Sequence, residues 1–149
     1  MLRLERTDSD NADFRYLVSF LDEDLAERDG EGHSFYAQFN KVDLIKNVVV
    51  AFNDNIPVGC GAFKLYNGTV AEVKRMYVLP NHRNQGIAGK VLTELENWAT
   101  ELNYTSCVLE TGKKQPEAIA LYKKSGYTFM PNYGQYEGVD NSVCMQKKL

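Results

Sequence analysis

The order of apolar and polar positions divides the chain into short strands and helices. Leu2 and Leu4 alternate with Arg3 and Glu5, the period of a half-buried strand that ends at Thr7 and Asp8. Phe14, Leu17, Val18, Leu21 and Leu25 recur at helical spacing, which predicts an amphipathic helix capped by Ser9 or Asp10 and stopped by Asp29, Gly30, Glu31 and Gly32. Phe35, Tyr36 and Phe39 predict a second, shorter helix. Residues 47–52 and 57–66 read as antiparallel strands joined by the turn Asn53-Asp54-Asn55-Ile56. Asn67-Gly68 is a two-residue hairpin signal leading into a strand over residues 69–79.

Pro80 has no N–H for a strand ladder, so that strand ends there and residues 81–85 form a polar loop. Ile87, Val91, Leu92, Leu95, Trp98, Ala99 and Leu102 then keep a helical period. Residues 106–111 predict a strand, Pro116 opens a helix that Gly126 stops, and residues 127–130 and 143–147 supply two more strands. Strands run consecutively before residue 69 and alternate with helices after it. The pattern predicts an α/β fold with a mixed, mostly antiparallel central sheet and flanking helices, antiparallel first and then a right-handed crossover into a parallel pair. Ligands of such sheets sit beyond the carboxyl ends of strands, where a loop opens a helix, which here is residues 79–90.

Composition narrows the class. The chain has 149 residues, the length of one domain spanning 1–149, and is 44% hydrophobic and 25% charged, the balance of an ordinary globular protein. Its formal charge of −3 argues against a nucleic-acid partner held by a broad basic surface. No apolar run is long enough to span a bilayer, so no membrane partner is expected. Cys60, Cys107 and Cys144 form no CxxC pair, and neither His33 nor His82 has a cysteine at zinc-like spacing. We expect reduced cysteines, a cytoplasmic location and no metal.

The segment Arg83-Asn84-Gln85-Gly86-Ile87-Ala88-Gly89-Lys90 joins a strand to a helix with two glycines, one alanine and two cations. Small residues there let backbone N–H groups close on an anion, and a helix N-terminus adds its positive end; a diphosphate fits such a place. The Walker pattern fails at Asn84 and Val91, and the GxGxxG pattern fails at Ala88 and Val91. Gly59-Cys60-Gly61 lies within a strand and reads as a packing or bulge feature.

Arg83, Gly86 and Ala88 match [RQ]-x-x-G-x-[GA], the signature of the GCN5-related N-acetyltransferase (GNAT) family, which the chain resembles. The preceding Val73-Lys74-Arg75-Met76-Tyr77-Val78 resembles that family's core strand. A second block, Gln115-Pro116-Glu117-Ala118-Ile119-Ala120-Leu121-Tyr122-Lys123-Lys124-Ser125-Gly126-Tyr127, follows at the family's distance and resembles N-x-x-A-x-x-L-Y-x-x-x-G-F, departing from it at Gln115. The likeness covers residues 47–149, and the first 46 only by element order.

The resemblance implies an acyl-CoA N-acyltransferase fold in which acetyl-CoA, as cosubstrate, lies between splayed strands over residues 76–78 and 109–111. Backbone groups of Met76 and Val78 would read the pantetheine arm as an added strand. Asn84, Gln85, Gly86, Ile87, Ala88 and Gly89 would hold the pyrophosphate, Arg83 and Lys90 would add charge, and Gln115 would reach the cofactor from the next helix. Moving acetyl from a thioester to a primary amine needs a proton acceptor for the amine and a donor for the thiolate. Tyr122 matches the family's frequent acid and Glu72 its carboxylate on the core strand. Direct attack in a ternary complex is expected, with no covalent enzyme intermediate.

For the acceptor, a small molecule or a lysine-like or peptide amine, the sequence offers Glu31, His33 and Glu110, and an aromatic loop with Asn132, Tyr133 and Tyr136. Candidate carboxylates at Glu31, Glu72 and Glu110 favour a cationic acceptor on charge alone. The resemblance allows a homodimer, although no stripe marks an interface. The competing reading is a catalytically inactive acyl-CoA-binding sensor or interaction module.

Overall fold

The computed structural model describes residues 1–29 and 44–149. The second predicted helix and the candidates Glu31 and His33 lie outside the described residues. Seven strands, β1 (Leu2–Thr7), β2 (Asn47–Asn53), β3 (Ile56–Asn67), β4 (Val70–Val78), β5 (Ser106–Gly112), β6 (Thr128–Met130) and β7 (Ser142–Lys148), form one sheet in the order β1-β2-β3-β4-β5-β7-β6. Among the described strands, only β4 and β5 pair in parallel. The described helices are α1 (Ala12–Asp29), α2 (Ile87–Glu101) and α3 (Pro116–Lys124). This is the mixed, mostly antiparallel α/β architecture the hydrophobic pattern predicts. The last strand in sequence is not an edge, because β7 inserts between β5 and β6.

Helices α1 and α2 cover the sheet because each has one continuous apolar stripe. Phe14, Leu17, Val18 and Leu21 of α1 pack on Val48, Val50, Cys60 and Ala62 from one face. Ile87, Val91, Leu92, Leu95 and Ala99 of α2 pack on Val49, Ala51, Phe63 and Val73 from the other. A third small cluster places Tyr133, Tyr136 and Cys144 around Val108 on β5.

Local details differ from the sequence reading where side chains have other partners. Asn11, not Ser9 or Asp10, caps α1, its Oδ1 accepting from the Phe14 N–H at 2.9 Å. The Ser9 hydroxyl is used elsewhere: it is buried and accepts from the Ile45 N–H at 2.9 Å. Between β2 and β3, Asp54 and Asn55 both have positive φ, 50° and 69°, the backbone of a tight two-residue loop. Between β3 and β4, Asn67 pairs with Val70, so the loop residues are Gly68 and Thr69 rather than Asn67 and Gly68. Gly68, at φ 54°, takes the left-handed position.

One irregularity in β4 shapes the centre of the molecule. The β3–β4 register passes from Cys60↔Tyr77 to Ala62↔Lys74, so Arg75 and Met76 both stand opposite Gly61. Arg75 has φ 61°. This is a bulge, and a bulge bends and twists its strand. Pairing of β4 with β5 stops at Glu72↔Val108, while β5 continues alongside β7 to Gly112↔Ser142. Beyond Glu72 the two central strands therefore part. Gly61 is the packing feature its sequence context predicts: a Cβ there would lie 2.8 Å from Leu95 Cδ1 and 3.0 Å from Val91 Cγ1.

Candidate active site

The parting of β4 from β5 opens two adjoining cavities. The larger, about 470 Å³, runs along Met76, Tyr77 and Val78 to the loop before α2. The smaller, about 110 Å³, lies over Glu72, Lys74, Glu110 and Thr111. Leu21, Met76, Gln115, Ala118 and Tyr122 line both. The two cavities thus meet at Tyr122, between the glycine-rich loop and the buried Glu72.

The loop end of the larger cavity is walled by His82, Arg83, Asn84, Gly86, Ile87, Ala88 and Gly89. Asn84 has φ 64° and Gly86 φ 78°, and Gly86 is the N-cap of α2. The first N–H groups of a helix have no partner within it, so those that follow Gly86 are free to bind an anion. A Cβ at Gly86 or Gly89 would meet nothing within 4 Å, which leaves the approach open. Arg83 curls back to donate from Nε to the Val78 carbonyl at 2.8 Å and lies over the Tyr77 ring. The Leu79 N–H bonds the Val58 carbonyl of β3, so the neighbouring Val78 N–H and carbonyl turn toward the parted side of β4. Gln85 and Lys90 are exposed and do not line the cavity. Of the expected anion-binding set, these two stand apart from the rest.

In the smaller cavity Glu72 is buried, and its Oε2 accepts a hydrogen bond of 2.6 Å from the Tyr133 hydroxyl. Burial and the Glu72 charge hold the Tyr133 phenol well above its usual range, so it stays a donor. Lys74 Nζ lies 3.8 Å from Glu72 Oε1 with only 11% of its side chain exposed. Burial lowers the Lys74 ammonium from its ordinary value, opposed by Glu72 and more weakly by Glu110. Tyr136 lines this cavity, whereas Tyr133 stands behind Glu72 and meets Tyr136 edge-on at 5.8 Å. Asn132 is structural, donating from Nδ2 to the Val139 and Ser142 carbonyls.

Tyr122 is buried on α3, and burial with the charge of Glu110 raises its phenol, which keeps its proton through the neutral range. Behind it, Tyr127 packs edge-on at 5.8 Å and donates to Glu96 Oε2 at 2.9 Å. Lys147 Nζ joins Glu96 Oε1 at 2.9 Å and the Ser125 carbonyl at 2.8 Å. This network ties the end of α3 to α2 and β7. Gln115 precedes α3 and faces both cavities.

Sequence reasoning missed Lys74 and the α1 residues Leu21 and Leu25 as walls of the smaller cavity. Lys74 follows Glu72 by two residues, which puts both on one face of β4, but nothing local shows that this face is covered. Cys60, Cys107 and Cys144 are all buried free thiols. Among the described residues, no group of three His, Cys, Asp or Glu side chains is placed to hold a metal ion. No described helix is long and apolar enough to cross a membrane.

Comparison with known proteins bears on the family and the fold. The model of the acetyltransferase (GNAT) family matches residues 7–127. The chain is 36% identical over 102 residues to an IAA acetyltransferase of Azospirillum brasilense, a match covering 68% of this chain and 67% of that protein. Further curated relatives match over 56 to 62% of their own length. A Klebsiella pneumoniae structure described as an acyl-CoA N-acyltransferase superposes with a TM-score of 0.83 and 29% identity, covering 100% of this chain and 98% of that one. The PaiA N-acetyltransferase of Thermoplasma acidophilum, in complex with coenzyme A, shares the fold at a TM-score of 0.74 and 18% identity, covering 100% and 99%. The fold therefore has its counterpart in a protein described as an acyl-CoA N-acyltransferase. Within that class, the chain belongs to the acetyltransferase (GNAT) family and is, at that level, an acetyl-CoA-dependent N-acetyltransferase.

Proposed function

We propose that the protein transfers acetyl from acetyl-CoA to a primary amine by direct attack, with both substrates bound at once. The observation that carries this reading is the meeting of the two cavities at Tyr122. A helix start suited to an anion lines one cavity and a buried carboxylate the other, so donor and acceptor have separate cavities with a common junction.

The residues present fit acetyl-CoA. The N–H groups after Gly86, with Arg83 beside them, suit the pyrophosphate, and the open Cβ positions of Gly86 and Gly89 leave it room. The Val78 N–H suits the pantetheine amides, while its carbonyl is already held by Arg83. Acetyl-CoA supplies the thioester whose acyl carbon the amine attacks and whose sulfur leaves as thiolate.

The chain's own groups then move two protons. Glu72 accepts one from the attacking amine, directly or through water, while Tyr133 holds its other oxygen in place. Tyr122 donates its phenolic proton to the leaving sulfur as the C–S bond breaks. The N–C bond forms, the thiol is released, and no bond to the enzyme is made.

Acetyl-CoA binding by calorimetry, followed by free-thiol release against a panel of amines, amino acids and short peptides, tests the reading. Binding with amine-dependent release is expected. Absence of binding overturns it, and tight binding without release from any acceptor favours a sensor.

A further inference from the structure

Resting on that reading, we propose that the acceptor carries a carboxylate as well as its primary amine, the carboxylate being met by Lys74. The sequence favours a cationic acceptor on its carboxylates alone, yet the smaller cavity is balanced: Glu72, Glu110, Lys74 and Arg75 all line it. The two cations are not equivalent. Arg75 donates from Nη1 to Asp22 Oδ1 at 3.2 Å, so its charge is answered from α1. Lys74 has three N–H donors, and among the described residues the one carboxylate within 4 Å is Glu72, at 3.8 Å. That is about 1 Å longer than a charge-assisted hydrogen bond. Glu72 meanwhile takes its short hydrogen bond from Tyr133.

A nearly buried ammonium without a short anionic contact is costly in an apolar setting, and a bound anion removes that cost. Lysine is a compact point charge, suited to one carboxylate oxygen; a phosphate dianion asks for more donors than this wall offers. With the carboxylate on Lys74, the amine of the same molecule lies on the side of Glu72, Glu110 and Tyr122. The substrate class is therefore an amino acid or another small amino-carboxylate.

The test compares amino-carboxylates with their amides and decarboxylated amines, by thiol release and by calorimetric binding of the N-acetylated products to the free protein. Wild type is expected to prefer the carboxylate-bearing member of each pair by about 10- to 100-fold in kcat/KM. Lys74→Met should collapse that preference and weaken N-acetyl amino acid binding by a similar factor, while Lys74→Arg restores part of both. Thermal unfolding of each variant separates lost recognition from lost fold. Equal use of amides and amines by wild type, or an unchanged preference in folded Lys74→Met, overturns the inference and leaves the acetyltransferase reading intact. Failure to bind acetyl-CoA overturns that reading, and the inference with it.

Discussion

The Tyr133 hydroxyl donates to Glu72 Oε2 across 2.6 Å, joining the loop after β6 to the strand that borders the cleft. Both groups are buried, so the bond is made in a setting where an unsatisfied carboxylate oxygen costs more than at a surface. Tyr133→Phe removes the donor and little else. It should destabilise the fold by about 1–3 kcal/mol and reduce turnover by on the order of tenfold, as the carboxylate loses its fixed orientation. Denaturant unfolding and thiol-release kinetics check the two effects separately, and wild-type turnover in the variant removes Tyr133 as a positioning group.

Tyr122 stands at the junction of the two cavities and retains its proton at neutral pH. Replacing it with phenylalanine should lower kcat by about 10² to 10⁴ while leaving acetyl-CoA affinity nearly unchanged. Calorimetry beside steady-state kinetics distinguishes this from general disruption. Unaltered kcat assigns the proton donor elsewhere.

Gly86 has φ 78° and opens α2 at the mouth of the larger cavity. Gly86→Glu puts strain and a negative charge where the helix start favours an anion, and should weaken acetyl-CoA binding by on the order of 100-fold. Binding that survives the change would show that the phosphates lie elsewhere.

Gly61 faces the α2 side of the bulge, where a methyl group meets Leu95 and Val91. Gly61→Ala is expected to cost about 1–3 kcal/mol by overpacking. Because Met76 is the nearest neighbour and lines both cavities, acetyl-CoA affinity should fall as well. A denaturation midpoint equal to wild type would mean that α2 moves away without penalty.

Burial raises the Cys60 thiol from 9.0 to about 12 and the Cys107 thiol from 9.0 to about 11. The Tyr122, Tyr127 and Tyr133 phenols are also held above their usual range, mainly by burial. The folded state therefore keeps protons that the unfolded chain gives up, and stability must fall as pH rises. The contribution is complete below about pH 9 and is lost progressively toward pH 12. Urea midpoints at about pH 8, 9.5 and 11 should descend across that window, and a flat profile would contradict the burial of these groups.

Much of the architecture was legible because it is written in local periodicity. The stripes of α1 and α2, the proline that ends β4 and the asparagine-rich turn after β2 each depend on neighbours within a few residues. The loop from Arg83 to Gly89 was legible for the same reason, since small residues ahead of a helical period are a local signal. Less local matters went astray by small steps. Ser9 has the chemistry of a cap, yet its hydroxyl goes to Ile45, which lies 36 residues away.

The sequence by itself determined the order of elements, the glycine-rich helix start and the presence of a tyrosine and carboxylates suited to acyl transfer. Tertiary structure alone decided which of these groups meet. The bulge at Arg75 bends β4 away from β5, and through that gap Tyr122 from α3 adjoins a cavity walled by Glu72, Lys74 and Glu110. The same packing placed Tyr133 behind Glu72 and left Lys74 almost buried. Burial depends on what the rest of the chain lays over a residue, and side chains distant in sequence become partners only when the sheet and its helices bring them together.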